Sequence, residues 1–197
     1  MSKKKFPKFP ANSRHIAGRK KIYGVGVNDA PYLTQPTVKG RRYCCPVYQL
    51  WVDMLRRVYV KGDASTIDES WLTFMNFQKW VLQQKYRNRL LNNVLLTCGE
   101  RLHYSEQTCC FVSKDLHRLL LEPIRSPAGI DVHQNKYRAI YRSRYLGHFN
   151  SFVEAHIARQ HARAEDLRRH AKKEEQTLRT ALLNYAQCVS LSIKVSL

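Results

Sequence analysis

The sequence predicts an α+β protein: a helical segment and a ββα unit, then a small three-stranded antiparallel sheet packed on a long C-terminal helix. Three observations lead there. Apolar residues recur at helical spacing over 46–60 and 71–84. The period shifts toward strand from Leu90 and becomes strict alternation over 129–149. From Ser151 a stretch of helix formers of mixed charge then runs almost to the end of the chain. At 197 residues with 44% hydrophobic residues, the chain suits one medium domain or two small ones with a real core.

Residues 1–42 hold eleven Lys or Arg and one acid, Asp29, and are expected to form a basic extended arm. The prolines of KKKFPKFP exclude helix and favour extended backbone. Phe6 and Phe9 between the lysines suit stacking on bases. GVGVND at 24–29 lacks the third glycine and the βαβ frame of a dinucleotide fingerprint.

A second domain is expected over 43–122. Pro46 suits a first helical turn, and Leu50, Trp51, Met54, Leu55 and Val58 follow on one face. Trp71, Phe74, Phe77 and Trp80 mark a second helix through Gln84. LNNVLLTC, a turn at Gly99-Glu100 and RLHYS then read as a hairpin, with FVSK leading into a helix carrying Leu116, Leu119 and Leu120.

The third expected domain spans 127–190. Its strands turn near Gln134-Asn135 and Arg142-Ser143-Arg144, with Tyr137, Ala139 and Tyr141 on one face and Lys136, Arg138, Ile140 and Arg142 on the other. Ser151 with Glu154 three residues on forms a capping-box signature. The charges of the helix that follows read mostly as a solvated face.

The charge balance speaks to function. Lys plus Arg number 34 against 15 Asp plus Glu, a formal net charge of +19. Such a field draws polyanions at long range, and nucleic acid is the expected partner class. A membrane partner is not expected, since no run of about 18 apolar residues exists. MSKKKFPKFP has no apolar core of a secretory signal, so the cytoplasm is the expected compartment. Six cysteines fall there as reduced residues. The adjacent pairs Cys44-Cys45 and Cys109-Cys110, without any C-x-x-C, read as core residues and not as a zinc site. No cofactor and no small-molecule substrate are expected.

GVGVNDAPYL, CPVYQLWVDMLRRVY, ESWLTFMNFQKWV, YSEQTCCFV and GIDVHQNKYRAIYRSRYLGHFNSFVEAHIA, in this order, resemble phage HNH homing endonucleases of the His-Me finger type with a C-terminal AP2-like domain. The resemblance implies a ββα metal-nuclease frame, and a sheet that reads duplex DNA. It also implies that the frame's chemistry has lapsed. Where the family carries Leu-Asp-Lys-Asp-Ile-Leu, this chain reads Leu91-Asn92-Asn93-Val94-Leu95-Leu96. Family asparagines correspond to Glu100 and His117. Asn92, Asn93 and Val94 offer neither a proton acceptor at neutral pH nor a good ligand for a hard cation. Were the chain active, Glu100, His103 and His117 would carry the reaction.

The expectation is thus a non-catalytic phage-type nucleic-acid-binding protein that prefers structured RNA, with ribosomal RNA or the ribosome foremost. The contacts expected in the arm are Lys3, Lys4, Lys5, Phe6, Lys8, Arg14, Arg19, Lys20, Lys21, Lys39, Arg41 and Arg42. Those expected on the sheet are Lys136, Tyr137, Arg138, Arg142, Arg144 and Tyr145. Two alternatives remain: a duplex-DNA-binding or residually active endonuclease, and a phage protein that grips an acidic host protein.

Overall fold

The computed structural model describes residues 6–99, 102–122 and 128–191. The chain divides into two compact units, Met1–Leu91 with Leu102–Phe111, and Asn92–Arg101 with Val112–Leu197. The architecture is α+β, with six α-helices and nine short strands among the described residues. No helix there is long and apolar enough to cross a membrane.

The first unit is built on aromatics. Helix α2 (Pro46–Tyr59) follows α1 (Ser13–Ala17) and the two-stranded hairpin β1 (Thr37–Val38) and β2 (Arg41–Arg42). It buries Val47, Tyr48, Trp51, Met54 and Leu55, the spacing of one helical face. Trp51 donates its indole N–H to the Trp71 carbonyl at 2.7 Å, so the one polar atom of this fully buried ring is satisfied. The expected helix from Trp71 divides in two. A short 3-10 turn, Glu69–Leu72, is capped by Asp68, and α3 begins only at Phe74 (Phe74–Leu82). The break has a partner: Val27 donates to the Leu72 carbonyl at 2.7 Å and accepts from the Phe74 N–H at 2.9 Å. Gly26 precedes it because a Cβ there would meet Leu55 Cδ1 at 2.5 Å. Gly26 of GVGVND therefore serves close approach to Leu55 and Trp51 of α2, while Gly24 takes a positive φ of 78°.

The expected hairpin from Leu90 does not form. Strand β4 (Leu90–Asn92) pairs with β6 (Cys110–Val112), while β5 (His103–Tyr104) runs parallel to β3 (Thr66–Ile67). Asn92 explains the departure. Its side-chain oxygen accepts from the Val94 N–H at 3.1 Å and the Leu95 N–H at 2.9 Å, which turns the chain into a 3-10 segment, Leu95–Thr97. Strand β6 leads into α4 (Lys114–Leu120), which Ser113 caps through the Leu116 N–H.

In the second unit β7 (Ile130–His133), β8 (Lys136–Tyr141) and β9 (Arg144–Phe149) make the three-stranded antiparallel sheet. Both expected turns are present as two-residue loops. Gln134 and Asn135, then Arg142 and Ser143, all have positive φ, between 46° and 64°. Left-handed turns of this kind match the twist of the strands they join. Ser151 caps α5 (Phe152–Ala171) by accepting from the Glu154 N–H, and the Glu154 carboxylate accepts from Asn150.

The charges of α5 are not all solvated. Gln160 and Arg163 are fully buried, and Arg159 and Asp166 nearly so. Arg163 donates to the carbonyls of Leu119 and Glu122 at the end of α4 and to the Tyr185 hydroxyl of α6 (Gln176–Leu191), across whose ring it lies. Arg159 pairs with Glu122 and lies over the Tyr141 ring. The helix stops at Lys172 without Gly or Pro, and Arg179 of α6 donates to the carbonyls of Ala171, which also accepts from the Glu174 N–H, and of Glu174.

Asp166 accepts from Tyr141 at 3.3 Å, Arg142 at 2.7 Å and Arg169 at 3.2 Å. Burial raises the pKa of its carboxyl, but the Arg142 hydrogen bond and the charges of Arg142, Arg169 and His170 outweigh it and hold the group below its ordinary value.

Two outcomes follow for stability. Arg163→Met leaves the Leu119 and Glu122 carbonyls without this donor and lowers the unfolding free energy of the second unit by about 3 kcal/mol, read by urea titration. Asp166→Asn costs about 2 kcal/mol at neutral pH. The folded pKa of Asp166 lies below the unfolded one, so this stabilisation is complete above the unfolded value and is lost as pH falls through the folded one. Melting curves of wild type and variant should therefore begin to approach each other as pH falls below about 4 and meet only below the folded pKa. A gap that stays constant to lower pH would remove Asp166 as its source.

Candidate nucleic-acid interface

The N-terminal segment is not a free arm over its described length. Phe6 meets the Tyr32 ring edge-on at 6.4 Å between centroids, and the Lys8 ammonium sits 4.8 Å above the same ring. Backbone bonds join Ala11 to Pro31 and Leu33 to Phe9. Tyr32 is buried, with its hydroxyl bonded to the Gln78 amide, and burial raises its pKa. Phe6 thus packs inward instead of waiting for a base. Arg19 is likewise engaged: its guanidinium donates to the carbonyls of Asn28, Ala30 and Tyr32 at 2.8, 2.7 and 3.0 Å. That is a structural clamp rather than a phosphate contact. Lys3, Lys4 and Lys5 lie outside the described residues.

Other cations of this segment remain outward. Arg14 lies on α1, capped by Asn12, and is exposed, as are Lys20 and Lys21 just beyond it. The β1–β2 hairpin brings Lys39, Arg41 and Arg42 together. Its loop is Lys39-Gly40, with φ of 48° and 71°, so the lysine occupies the turn itself. Arg41 lies over Tyr43, and Arg42 donates to the Gln35 side chain at 2.7 Å, so both guanidiniums are steadied without meeting a carboxylate among the described residues. Arg56, Lys61, Lys79 and Arg87 of the same unit are exposed too. Sequence reasoning does not single them out, although Arg56 and Lys79 stand on the polar arcs of α2 and α3, where a cation is exposed by the same periodicity that buries the tryptophans.

The sheet is different. Arg138 grips Asp131 with both nitrogens of its fork, at 2.9 and 2.6 Å. The hydrogen bond and charge of Arg138 hold the Asp131 carboxyl below its usual range. Arg142 leaves the outer face expected for it: it sits in the turn and bonds Asp166 of α5. Arg144 is near Glu165 at 3.9 Å. Tyr137 faces the helix and meets Phe152 edge-on. Lys136 and Tyr145 stay exposed, with the Tyr145 hydroxyl bonded to His148 at 2.7 Å. The sheet's charges are therefore largely balanced at home.

The first unit has 18 Lys and Arg against six acids, a net +12, and the second has 16 against nine, a net +7.

The residues considered for catalysis do not reproduce the expected hairpin. Asn92 and Asn93 are buried, the first as a backbone cap. His103 bonds the Thr66 hydroxyl at 2.7 Å in the first unit, and His117 is buried on α4 in the second. Glu100 lies outside the described residues. Among the described residues no three His, Cys, Asp or Glu side chains stand together as a metal site. No protein-family model, no curated protein and no solved structure matches this chain.

Proposed function

We propose that the chain is a non-catalytic nucleic-acid-binding protein that holds phosphate through its first unit and takes structured RNA as its ligand, with ribosomal RNA foremost. The carrying observation is the distribution of charge. The first unit bears the larger excess, and Lys20, Lys21 and Lys39 are exposed there with no carboxylate partner among the described residues. Phosphate contact displaces mobile counterions and needs only such solvated cations on an ordered frame. The sheet takes the lesser part. Direct readout of guanine in a major groove wants an arginine fork free to lie against O6 and N7, and the Arg138 fork already holds Asp131. This favours RNA, gripped by its folded backbone, over duplex DNA read by the sheet. The non-catalytic reading is supported by Asn92, whose side-chain oxygen is committed to two backbone N–H groups at a position where the resembled family has a carboxylate.

Two measurements test this. In filter binding with a structured RNA, replacing Lys20, Lys21, Lys39 and Arg41 together by Ala should weaken affinity for all sequences and shallow the dependence of log K on log salt by roughly three. The pair Lys136→Ala with Arg144→Ala should change it far less, and duplex DNA should compete poorly. An unchanged slope, or duplex DNA displacing RNA, overturns the interface or the RNA preference respectively. Incubation with Mg²⁺ or Mn²⁺ should leave duplex DNA, single-stranded DNA and RNA intact. Cutting that disappears in His103→Ala or His117→Ala would make the protein a nuclease.

A further inference from the structure

We propose that Cys98 and Cys188 form a dithiol site that a low-molecular-weight disulfide of the glutathione type converts to an intramolecular cystine, fastening the turn after β4 to α6. The two sulfurs stand 2.8 Å apart, closer than unbonded sulfur atoms ordinarily rest. Cys98 ends the 3-10 turn Leu95–Thr97 in the left-handed region, at φ 50°, and Gly99 donates back to the Val94 carbonyl, so the turn itself aims the thiol. Cys188 is carried by α6, whose buried Tyr185, Ala186 and Val189 hold that face of the helix in place. Both halves belong to the second unit.

Access is also present. Cys98 lines an open groove of about 540 Å³ together with Leu95, Leu96, Thr177, Thr180 and Asn184. Both cysteines are half-buried, which leaves room for a small oxidant and little for a protein. The other four thiols are poorer candidates. Cys45, Cys109 and Cys110 are buried, and burial pushes the Cys109 thiol up to about 12, far from the reactive thiolate. Cys44 donates to the Cys45 carbonyl and to Gln49, and burial raises it as well.

The chemistry balances as ordinary exchange. The Cys98 thiolate attacks one sulfur of oxidised glutathione, giving a mixed disulfide and one glutathione thiolate. The Cys188 thiolate then attacks the Cys98 sulfur, forming the Cys98–Cys188 bond and expelling the second glutathione thiolate. The two cysteine protons end on the two glutathione molecules, which are reduced as the protein is oxidised. The bond joins residues 90 apart in sequence, so it removes much freedom from the unfolded chain and should raise the melting temperature of the second unit.

The test uses the full chain without nucleic acid, equilibrated with mixtures of oxidised and reduced glutathione, and then mapped as peptides without reduction. A Cys98–Cys188 linked peptide should appear, the thiol titre should fall by two, and dithiothreitol should restore both. The oxidised protein should melt several degrees above the reduced one. In Cys188→Ser and in Cys98→Ser the remaining thiol should stop at a single glutathione adduct and the melting gain should vanish. The wild-type map stands even if a variant folds poorly. Absence of the linked peptide, a persistent glutathione adduct on wild-type Cys98, or bonds spread over Cys44, Cys45, Cys109 and Cys110 would each overturn the proposal.

Discussion

The second unit depends on one buried guanidinium. Arg163 is fully enclosed, and a cation in that position is tolerable only where its donors meet oxygen. Its neighbours supply that oxygen from α4 and α6, so a single side chain on α5 sets where two other helices end or pass. The polar core spreads from there: Arg159 meets Glu122, and Asp166 meets Tyr141 and Arg142. Such a core gives directional rather than merely apolar packing, and every member is a reason for the sheet to lie on α5 in one register.

The same economy of charge separates the units electrostatically. Arginines that seem available on the sheet are answered by Asp131, Glu165 and Asp166, three acids supplied within the unit. The first unit has few acids to do this, so its excess faces water. A basic chain is thus two different electrostatic objects, a second unit of net +7 whose sheet arginines meet acids and a first unit of net +12 with fewer acids to answer its cations.

What the sequence made legible was local. The apolar face of α2, the three strands with both turns, and the Ser151 cap all depend on neighbours within a few positions, where periodicity and turn chemistry act. The rest required partners far along the chain. Strand β5 pairs with a segment 37 residues earlier, and nothing in RLHYS announces that. Asn92, which stands where the resembled family has a carboxylate, reads as a loss, while in the fold it has the separate task of turning the backbone. The charges of α5 look solvated because their partners lie on α4, β8 and α6. Of the proposed interface, the exposed lysines near 20 and 39 were visible from composition, but the inward commitments of Phe6 and Arg19 were not.

Arg19 has one more consequence. By gathering the carbonyls of Asn28, Ala30 and Tyr32 it makes residues 19 to 32 of the basic segment a prefolded element. A disordered tail must surrender backbone entropy when it meets its ligand, roughly 1 to 2 kcal/mol for each residue fixed. Here folding has already met that cost. Association through Arg14, Lys20, Lys21 and the β1–β2 hairpin should consequently resemble the docking of a rigid body, with a small heat-capacity change and little gain of helical signal, instead of folding coupled to binding.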